Sequence, residues 1–484
     1  MPGTGRFAAI DFGATSGRVI LGEVSPTHIS TSEMSRFTNQ PVSMPASDAR
    51  GWGTHLHWDM PALWQGALAG LGRAVREAPD LISVATDSWG VDYGLLRNGR
   101  LLGSPMHYRD ERTAEACDRV HAAIPPADLY ARTGIQPLAI NTLYQLAAEA
   151  SQGLLDVADT ALLMPDLFSY WLTGRRIAER TIASTTAILS AITGEWDEDI
   201  LSRVGLPRGV LAPLVSPGER IGPVLPAVAD AVGASHHLDV IAVGAHDTAS
   251  AVLAAPLPER GGAFVSCGTW GLVGVEREQP LLHEQARQAA FTNERGVDDR
   301  FLFMRNGMGL WILNETIRSW ERAGERVDLG QLIEEAAHTR MDADVFDVED
   351  PRFQKPGDMP AMIAAWHAEH GARMPQTRAA LVRLILESLA QAFAEAIATT
   401  ARMTGEPVSQ INLVGGGSRN WLLCQRLADR SGLPVYAGPV EATALGNLLV
   451  QARTAGVLHG TIEDLRAVIT RTFQPRRFEP RRTP

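Results

Sequence analysis

Two acidic residues stand where a carboxylate is costly to bury, and both could serve phosphate chemistry. Asp11 comes near the end of a short apolar segment, just before a glycine-rich turn, and Asp247 follows a second apolar segment. A buried carboxylate needs a cation or hydrogen-bond donors, so Asp11 is a candidate for holding hydrated Mg²⁺ near phosphates. Asp247 could be only a helix N-cap. In its functional interpretation, Asp247 is the general base that accepts a proton from a hydroxyl attacking phosphorus.

Two glycine-rich segments share one pattern, an apolar strand, a Gly/Thr/Ser turn and a second apolar strand. They run over residues 7–22 and 263–275, and their first turn glycines, Gly13 and Gly268, are 255 residues apart. Such short apolar flanks predict β-hairpins, and the backbone N–H groups of the turns can hold phosphate oxygens. The domain-sized spacing predicts two similar halves that face one another across a cleft and clamp a nucleotide.

A third glycine segment, 415–417, follows a predicted strand and precedes a predicted helix, so a ligand could approach the backbone at the helix N-terminus. Lys355 is the only lysine, which excludes the phosphate loop that ends in Gly-Lys-Ser/Thr and the usual strand lysine of protein kinases. A nucleotide would then be bound by backbone turns, hydroxyls, Mg²⁺ and arginines such as Arg18.

The elements that must position these residues follow from apolar patterning. It predicts the strands 7–12, 18–24, 82–87, 411–414 and 435–436, and the helices 61–77, 113–123, 141–151, 197–204, 376–404, 420–431 and 441–455. The Pro/Gly-rich stretch 254–262 predicts a boundary between a domain 1–255 and a domain 256–484.

Composition narrows the class of protein. The chain has 484 residues, a formal net charge of −11 and no basic run, so neither a nucleic acid nor a membrane is expected as a partner. Neither a leader segment nor an apolar stretch of about 18 residues is recognisable, which predicts a soluble cytoplasmic protein and leaves its oligomeric state open. The cysteines, Cys117, Cys267 and Cys424, lack metal-ligand or redox spacing. We expect no disulfide framework, and Cys267 is expected to be a packing residue.

An ordered set of segments from residue 8 to about residue 450 resembles the FGGY family of sugar kinases, within the actin, Hsp70 and hexokinase superfamily. The matching segments are 11–18 (DFGATSGR), 86–92 (TDSWGVD), 108–113 (YRDERT), 133–136 (TGIQ), 141–146 (NTLYQL), 163–170 (LMPDLFSY), 184–186 (STT), 246–252 (HDTASAV), 268–270 (GTW), 306–311 (NGMGLW), 414–417 (VGGG), 437–442 (AGPVEA) and 445–447 (LGN). The resemblance implies a two-domain α/β fold, ribonuclease H-like, with ATP and sugar in the interdomain cleft.

The resemblance also implies roles for single residues. By it, Asp247 is the catalytic base and Asp11 binds Mg²⁺ through water. The residues that it assigns to the sugar are Gly90, His246, Asp247, Thr248 and Asn306, with Trp89 and Asp92 as weaker candidates. The residues that it assigns to ATP are Ala14, Thr15, Ser16, Gly17, Arg18, Thr269, Asn314 and Gly416. Asn314 stands where the family has a glutamine, so the amide at this position is shorter than the family's.

Within the family, the chain most resembles the kinases of L-rhamnulose, which implies transfer of the γ-phosphoryl group of ATP to a primary hydroxyl of that ketose. Three alternatives stay open at this point. The substrate could be another ketose such as L-fuculose or a pentulose. The chain could be a non-enzymatic nucleotide switch that uses the same ATP clamp. A carbohydrate isomerase or hydrolase with paired carboxylates would leave the two phosphate turns without a purpose.

Overall fold

The computed structural model describes residues 3–48, 51–341 and 343–481, so the outermost residues of both predicted domains lie outside it. The strands are β1 (Gly5–Phe12), β2 (Ser16–Val24), β3 (Ile29–Thr38), β4 (Pro41–Asp48), β5 (Gly51–Trp58), β6 (Ser83–Ser88), β7 (Tyr93–Arg97), β8 (Arg100–Leu101), β9 (Thr160–Leu163), β10 (Ala178–Glu179), β11 (Leu214–Val215), β12 (Arg220–Pro223), β13 (Asp239–Ile241), β14 (Gly262–Cys267), β15 (Trp270–Arg277), β16 (Phe291–Arg295), β17 (Phe301–Met308), β18 (Gln410–Val414), β19 (Val435–Ala437) and β20 (Arg476–Phe478).

The helices are α1 (Met60–Glu77), α2 (Ala114–Ala123), α3 (Pro126–Thr133), α4 (Thr142–Ser151), α5 (Met164–Thr173), α6 (Arg180–Ser184), α7 (Glu198–Val204), α8 (Pro226–Val232), α9 (Asp247–Leu253), α10 (Glu284–Gln288), α11 (Trp311–Arg322), α12 (Leu329–His338), α13 (Met359–Glu369), α14 (Arg378–Thr404), α15 (Trp421–Ser431), α16 (Ala442–Thr454) and α17 (Ile462–Thr472). Every strand and helix predicted from apolar patterning is confirmed, with ends displaced by one or two residues.

The chain forms two compact units. The first unit comprises Met1–Ala254, Arg277–Phe303 and Thr443–Thr472, and the second comprises Ala255–Glu276, Met304–Ala442 and Phe473–Pro484. The chain therefore returns to the first unit twice after leaving it at Ala254. Apolar patterning carries no signal for these returns, because a strand or helix has the same local pattern whichever unit it joins.

The main sheet of the first unit has the strand order β12-β13-β6-β1-β2-β3. The hairpin of β1 and β2 is antiparallel, whereas β6 runs parallel to β1 and β13 runs parallel to β6. Residues from Phe7 to Ile10 are fully buried, as expected of a central strand covered on both faces. Helix α1 packs closely on the hairpin, because a Cβ on Gly70 would lie 2.5 Å from Val19 Cγ2.

Within the second unit the strand order is β17-β15-β14-β18-β19-β20, where β17 enters the unit at Met304. The hairpin of β14 and β15 is antiparallel, β18 runs parallel to β14, and β19 runs parallel to β18. The core of the unit includes Phe393 and Leu413, which belong to α14 and β18. Each unit thus contains a glycine hairpin followed by the same sequence of parallel neighbours, which is the internal similarity that the 255-residue spacing predicts.

Among the described residues, no helix combines the length and the apolar character that a membrane span requires. The cysteines Cys117, Cys267 and Cys424 are all free thiols, in agreement with the prediction of no disulfide framework.

Candidate active site

Three carboxylates lie at the carboxyl ends of neighbouring parallel strands in the first unit. Asp11 of β1 is in register with Asp87 of β6. The chain after β13 continues beside β6, where the backbone N–H of Ser88 donates to the carbonyl of Ala245 at 2.9 Å. Asp247 is thereby brought to the same edge of the sheet, and each of the three carboxylates lies within electrostatic range of another. Open α/β sheets bind their ligands at this edge.

Asp11 is 4 % exposed and its charge is balanced by Arg18, its cross-strand partner in the hairpin. Nε and Nη2 of Arg18 donate to Oδ2 of Asp11 at 2.8 and 2.6 Å. Arg18 is a predicted phosphate contact, and in the structure its guanidinium binds Asp11. A planar donor group suits both a carboxylate and a phosphate, so the arginine can connect the two.

Asp87 is a fully buried carboxylate to which the sequence analysis assigned no role. Nδ2 of Asn447 donates to its Oδ2 at 2.6 Å, whereas Oδ1 is buried and has no hydrogen-bond partner in the described part of the chain. Burial raises the pKa of Asp87 well above its ordinary value, and the charge of Asp11 raises it further. The signal for this residue is the one that singled out Asp11, an acid near the end of an apolar strand.

Asp247 is the first residue of α9, and its side chain is 30 % exposed. Burial of the site raises its pKa, the charge of His246 lowers it, and the charge of Asp11 raises it. Oγ1 of Thr248 donates to Oδ1 of Asp247 at 3.2 Å. Helix α9 is held in place by α16, because a Cβ on Gly446 would lie 1.9 Å from the carbonyl oxygen of Ser250. Asp247 therefore lies on a helix with little room to shift.

The turn that carries His246 and Asp247 is fixed by Glu179, a residue that the sequence analysis missed. Oε2 of Glu179 accepts from the backbone N–H of Ala245 at 3.1 Å and from Oγ1 of Thr181 at 2.5 Å. The same threonine oxygen accepts from the backbone N–H of His246 at 3.1 Å. Burial raises the pKa of Glu179 to about 7. A glutamate after Ala178 has no local feature that distinguishes it from a surface residue.

The loop after β6 carries Gly90, the first of the predicted sugar contacts. A Cβ on Gly90 would lie 3.0 Å from Cγ2 and Oγ1 of Thr185, and Val91 beside it has a φ of 69°. Oγ1 of Thr185 accepts from the backbone N–H of Val91 at 3.1 Å, and Oγ1 of Thr142 donates to its carbonyl at 2.7 Å. The predicted segments 141–146 and 184–186 thus hold this loop.

Trp89 and Asp92, the weaker sugar candidates, take part in a buried network. Nε1 of Trp58 and Nε1 of Trp89 donate to Oδ2 of Asp92 at 2.6 and 3.1 Å, and Nε2 of Gln145 donates to Oδ1 at 3.0 Å. Burial raises the pKa of Asp92 to about 6, against the effect of these hydrogen bonds. Asp92 is fully buried, so its role in the structure is to fix the two indole rings.

The first glycine turn contains half of the predicted ATP contacts, namely Ala14, Thr15, Ser16 and Gly17. It closes through the backbone N–H of Gly13, which donates to the carbonyl of Ser16 at 2.9 Å. Asn39 holds it from outside, because its Nδ2 donates to the carbonyl of Gly13 at 2.8 Å. Gly17 cannot carry a side chain without moving Phe37, since its Cβ would lie 2.3 Å from that ring. Thr15 is exposed at the tip.

The second unit brings its own glycines together around Thr269. The backbone N–H of Gly309 donates to the carbonyl of Thr269 at 3.2 Å, and a Cβ on Gly309 would lie 2.4 Å from the carbonyl carbon of Trp270. A Cβ on Gly417 would lie 2.6 Å from Cβ of Cys267. Burial raises the pKa of this cysteine to about 12, and it is a packing residue, as predicted. Gly416, Asn314 and Asn306 are exposed in the same unit.

Asp11 and Asp87 could give a metal ion only a small number of protein ligands. Within residues 3–48, 51–341 and 343–481, no group of three or more His, Cys, Asp or Glu side chains forms a candidate metal site. Mg²⁺ usually keeps several waters and needs one or two carboxylates besides phosphates. Asp11 and Asp87, whose Oδ1 has no hydrogen-bond partner among the described residues, would supply these one or two carboxylates.

Two family models match the chain in the order of its segments. The N-terminal domain of the FGGY family of carbohydrate kinases matches residues 7–254, and the C-terminal domain of the same family matches residues 263–455. The chain belongs to the FGGY family of carbohydrate kinases.

Curated FGGY relatives are similar over nearly the whole chain. A rhamnulokinase from Pectobacterium atrosepticum is 39 % identical over 480 residues, which cover 98 % of this chain and 92 % of the relative. A rhamnulokinase from Yersinia pestis bv. Antiqua is also 39 % identical and covers 98 % of this chain and 94 % of the relative. The family predicted from the sequence motifs is therefore confirmed, as is the enzyme class, and the family implies ATP and a sugar as substrates.

Solved structures confirm the fold class. A ligand-bound xylulose kinase from Lactobacillus acidophilus superposes with a TM-score of 0.77 at 14 % identity, covering 98 % of this chain and 94 % of that one. A glycerol kinase from Plasmodium falciparum, solved with ADP, gives the same TM-score and identity and covers 99 % of this chain and 94 % of that one. The chain has the two-domain α/β fold of these kinases, which is of the actin and hexokinase type.

Proposed function

We propose that the protein transfers the γ-phosphoryl group of ATP to the primary hydroxyl of L-rhamnulose, which yields L-rhamnulose 1-phosphate and ADP. The observation that carries the chemistry is the position of Asp247 at the carboxyl ends of β1, β6 and β13, beside Asp11 and Asp87. Support for the ketose is the 39 % identity to rhamnulokinases over 98 % of the chain. Membership in a kinase family favours an enzyme over the nucleotide switch and over an isomerase or hydrolase.

In this mechanism Asp247 accepts the proton of the hydroxyl as its oxygen forms a bond to the γ-phosphorus, and the bond to the bridging oxygen of ADP breaks. Mg²⁺ would neutralise charge on the phosphates, held by Asp11 through water. The partial exposure of the Asp247 side chain leaves it accessible to a substrate hydroxyl. His246, Thr248, Gly90 and Asn306 are the other residues that we assign to the sugar.

The nucleotide is assigned to backbone turns, which offer N–H donors without a lysine. In the first unit these residues are Ala14, Thr15, Ser16, Gly17 and Arg18. In the second unit they are Thr269, Asn314 and Gly416. Residues 1–255 would thus supply most of the sugar contacts, the first phosphate turn and the base. Residues 256–484 would supply Asn306, the second turn and the adenosine contacts. Because ATP is a cytoplasmic metabolite, we propose the cytoplasm as the compartment.

The test is ADP release by the purified protein with Mg-ATP and a panel of acceptors. The panel contains L-rhamnulose, L-fuculose, L-ribulose, D-xylulose, glycerol and a sample without sugar. We expect the highest kcat/KM with L-rhamnulose and phosphate on its O1 by NMR of the product. A higher value with another ketose would retain the mechanism and reassign the substrate. No stimulation by any acceptor would refute the proposed reaction.

A further inference from the structure

His246 lies between two carboxylates, only one of which belongs to the proposed mechanism. Its Nε2 is 3.4 Å from Oδ1 of Asp247, and its Nδ1 is 3.0 Å from Oε2 of Glu294. The side chains of His246 and Glu294 are only 8 % and 6 % exposed. A buried histidine with a carboxylate beside each ring nitrogen can hold a proton on both nitrogens, because each N–H then lies beside a counter-charge.

Glu294 lies in β16, and the residues on either side of it form hydrogen bonds within the first unit. The backbone N–H of Asn293 donates to the carbonyl of Gly134 at 2.8 Å, and Nδ2 of Asn293 donates to the carbonyl of Leu281 at 3.0 Å. On the other side, the backbone N–H of Arg295 donates to Oγ of Ser184 at 2.9 Å. The backbone on both sides of Glu294 is therefore held in place within the first unit.

The charges around the imidazole favour its protonated form. Burial opposes the charged form of His246, but the charge and contact of Glu294 outweigh burial, with smaller effects from Asp247 and Glu179, and its pKa is raised. Asp247 in turn faces the cation of His246 on one side and the charge of Asp11 on the other. Without a cation at His246, the like charges near Asp247 would favour its protonation.

We propose that Glu294 is a positioning residue that keeps His246 doubly protonated, with Nε2–H directed at Oδ1 of Asp247. The catalytic carboxylate then stays ionised, and its Oδ2 is the oxygen presented to the acceptor hydroxyl. This inference rests on the proposed function, because it assigns the charge state of the proposed base. This positioning role differs from a substrate-binding role, in which Glu294 would contact a sugar hydroxyl directly and its loss would weaken sugar binding.

Glu294→Gln separates these roles, because the amide keeps the size of the side chain and removes its charge. We expect kcat with L-rhamnulose to fall about 10- to 100-fold, by analogy with loss of the carboxylate partner of a metal-ligating histidine, while KM for ATP stays unchanged. His246 would lose its proton at lower pH, so Asp247 would retain its own proton to higher pH. The acidic limb of the kcat/KM profile would therefore move to higher pH, by about one unit.

Two further variants control this result. Glu278→Gln removes a charge at a side chain that is 82 % exposed, and we expect kcat and the pH profile to be unchanged. Glu294→Asp keeps the charge and should restore part of kcat together with the acidic limb. A rise in KM for the sugar with an unshifted limb would assign Glu294 to the substrate instead and overturn the proposal.

The charge state of His246 can be measured without any substrate, which separates this inference from the proposed function. In protein labelled with ¹⁵N-histidine, the ring nitrogens of His246, assigned by their loss in His246→Gln, should titrate above about 6.5, the ordinary value. In Glu294→Gln the midpoint should fall below it. A midpoint below 6.5 in the unsubstituted protein would overturn the proposal even if Glu294→Gln failed to fold. The titration would stand or fall in the same way if another ketose proved to be the substrate.

Discussion

The hairpin of β1 and β2 and the hairpin of β14 and β15 occupy the same place in sheets of the same strand order, yet only the first has charged side chains next to its turn. When Gly13 is aligned with Gly268, Asp11 corresponds to Ser266. Asp11 pairs across its hairpin with Arg18, whereas Ser266 pairs with Leu272. The two turns can each offer backbone N–H groups to a phosphate, but only the first has a carboxylate and an arginine paired next to it.

The strands beside the two hairpins differ in the same way, because a carboxylate lies beside the first and closely packed glycines lie beside the second. Beside β1, the parallel strand β6 supplies Asp87 and its hydrogen bond from Asn447. Beside β14, the parallel strand β18 is followed by Gly415 and Gly417, which pack against Cys267 without room for a side chain. The first unit has carboxylates where the second has close backbone packing. The fold thus supplies two similar glycine turns, and the carboxylates of the proposed reaction lie beside the first.

The largest expected effect comes from removing the proposed base, Asp247, in the first unit. Asp247→Asn should lower kcat by about 10³-fold, within the range that general base catalysis contributes, with KM for ATP unchanged. The measurement is steady-state ADP release at saturating Mg-ATP and L-rhamnulose. Asp230→Asn, at an exposed position in α8, is the matched control and should behave as the unsubstituted protein. Near-normal turnover in folded Asp247→Asn would reject the assigned base.

Much of this comparison could be predicted from the sequence, because its determinants are local. Short apolar runs with glycine turns indicated both hairpins, and an acid near the end of a strand indicated Asp11 and Asp247. The ordered motifs then indicated the family. The same local rule applied to Asp87 would have found the third carboxylate.

The remainder depends on contacts between distant segments, for which a single sequence has no local signal. Glu179 holds the backbone at Ala245, 66 residues away. Glu294 reaches His246 from a strand that rejoins the first unit only after the chain has passed through the second. The return of residues 443–472 to the first unit, which brings Asn447 to Asp87, likewise has no local signal in the sequence. Tertiary packing, not propensity, decides these positions.

The second effect tests whether the charge of the first hairpin serves a metal. Asp11→Asn should lower kcat by about 10- to 100-fold, the usual cost of weakening the shell of a metal, and should raise the Mg²⁺ concentration needed for half-maximal rate. It also removes the ion pair with Arg18. The measurement is a Mg²⁺ titration of the rate at fixed ATP. A lower kcat with an unchanged Mg²⁺ requirement would show that Asp11 only orients Arg18.

A third substitution places a charge next to the turn of the second hairpin, at the position that corresponds to Asp11. Ser266→Asp puts a carboxylate beside the second turn with Leu272 across the strand, so no arginine balances it from that position. We expect KM for ATP to rise about tenfold, or 1.4 kcal/mol, by repulsion of the phosphates, with no change in the Mg²⁺ requirement. Ser266→Asn has the same shape without charge and should alter KM little. Equal effects of both substitutions would show that the hairpin tolerates only a small side chain, and that charge is not the cause.

The smallest expected effect concerns Asn314, which stands where the resemblance to the family implies a glutamine. Asn314 in α11 is exposed, and its amide is one methylene shorter than the family glutamine. An exposed hydrogen bond to the nucleotide contributes about 0.5–1 kcal/mol, so Asn314→Ala should raise KM for ATP only about two- to fivefold and leave kcat unchanged. Asn314→Gln restores the longer amide and should match or lower the KM of the unsubstituted protein. If Asn314→Ala leaves KM unchanged while Asn314→Gln lowers it, the shorter amide does not reach the nucleotide in this chain. The second unit would then bind ATP through its backbone turns and Thr269 alone, which would make the contrast with the charged hairpin of the first unit complete.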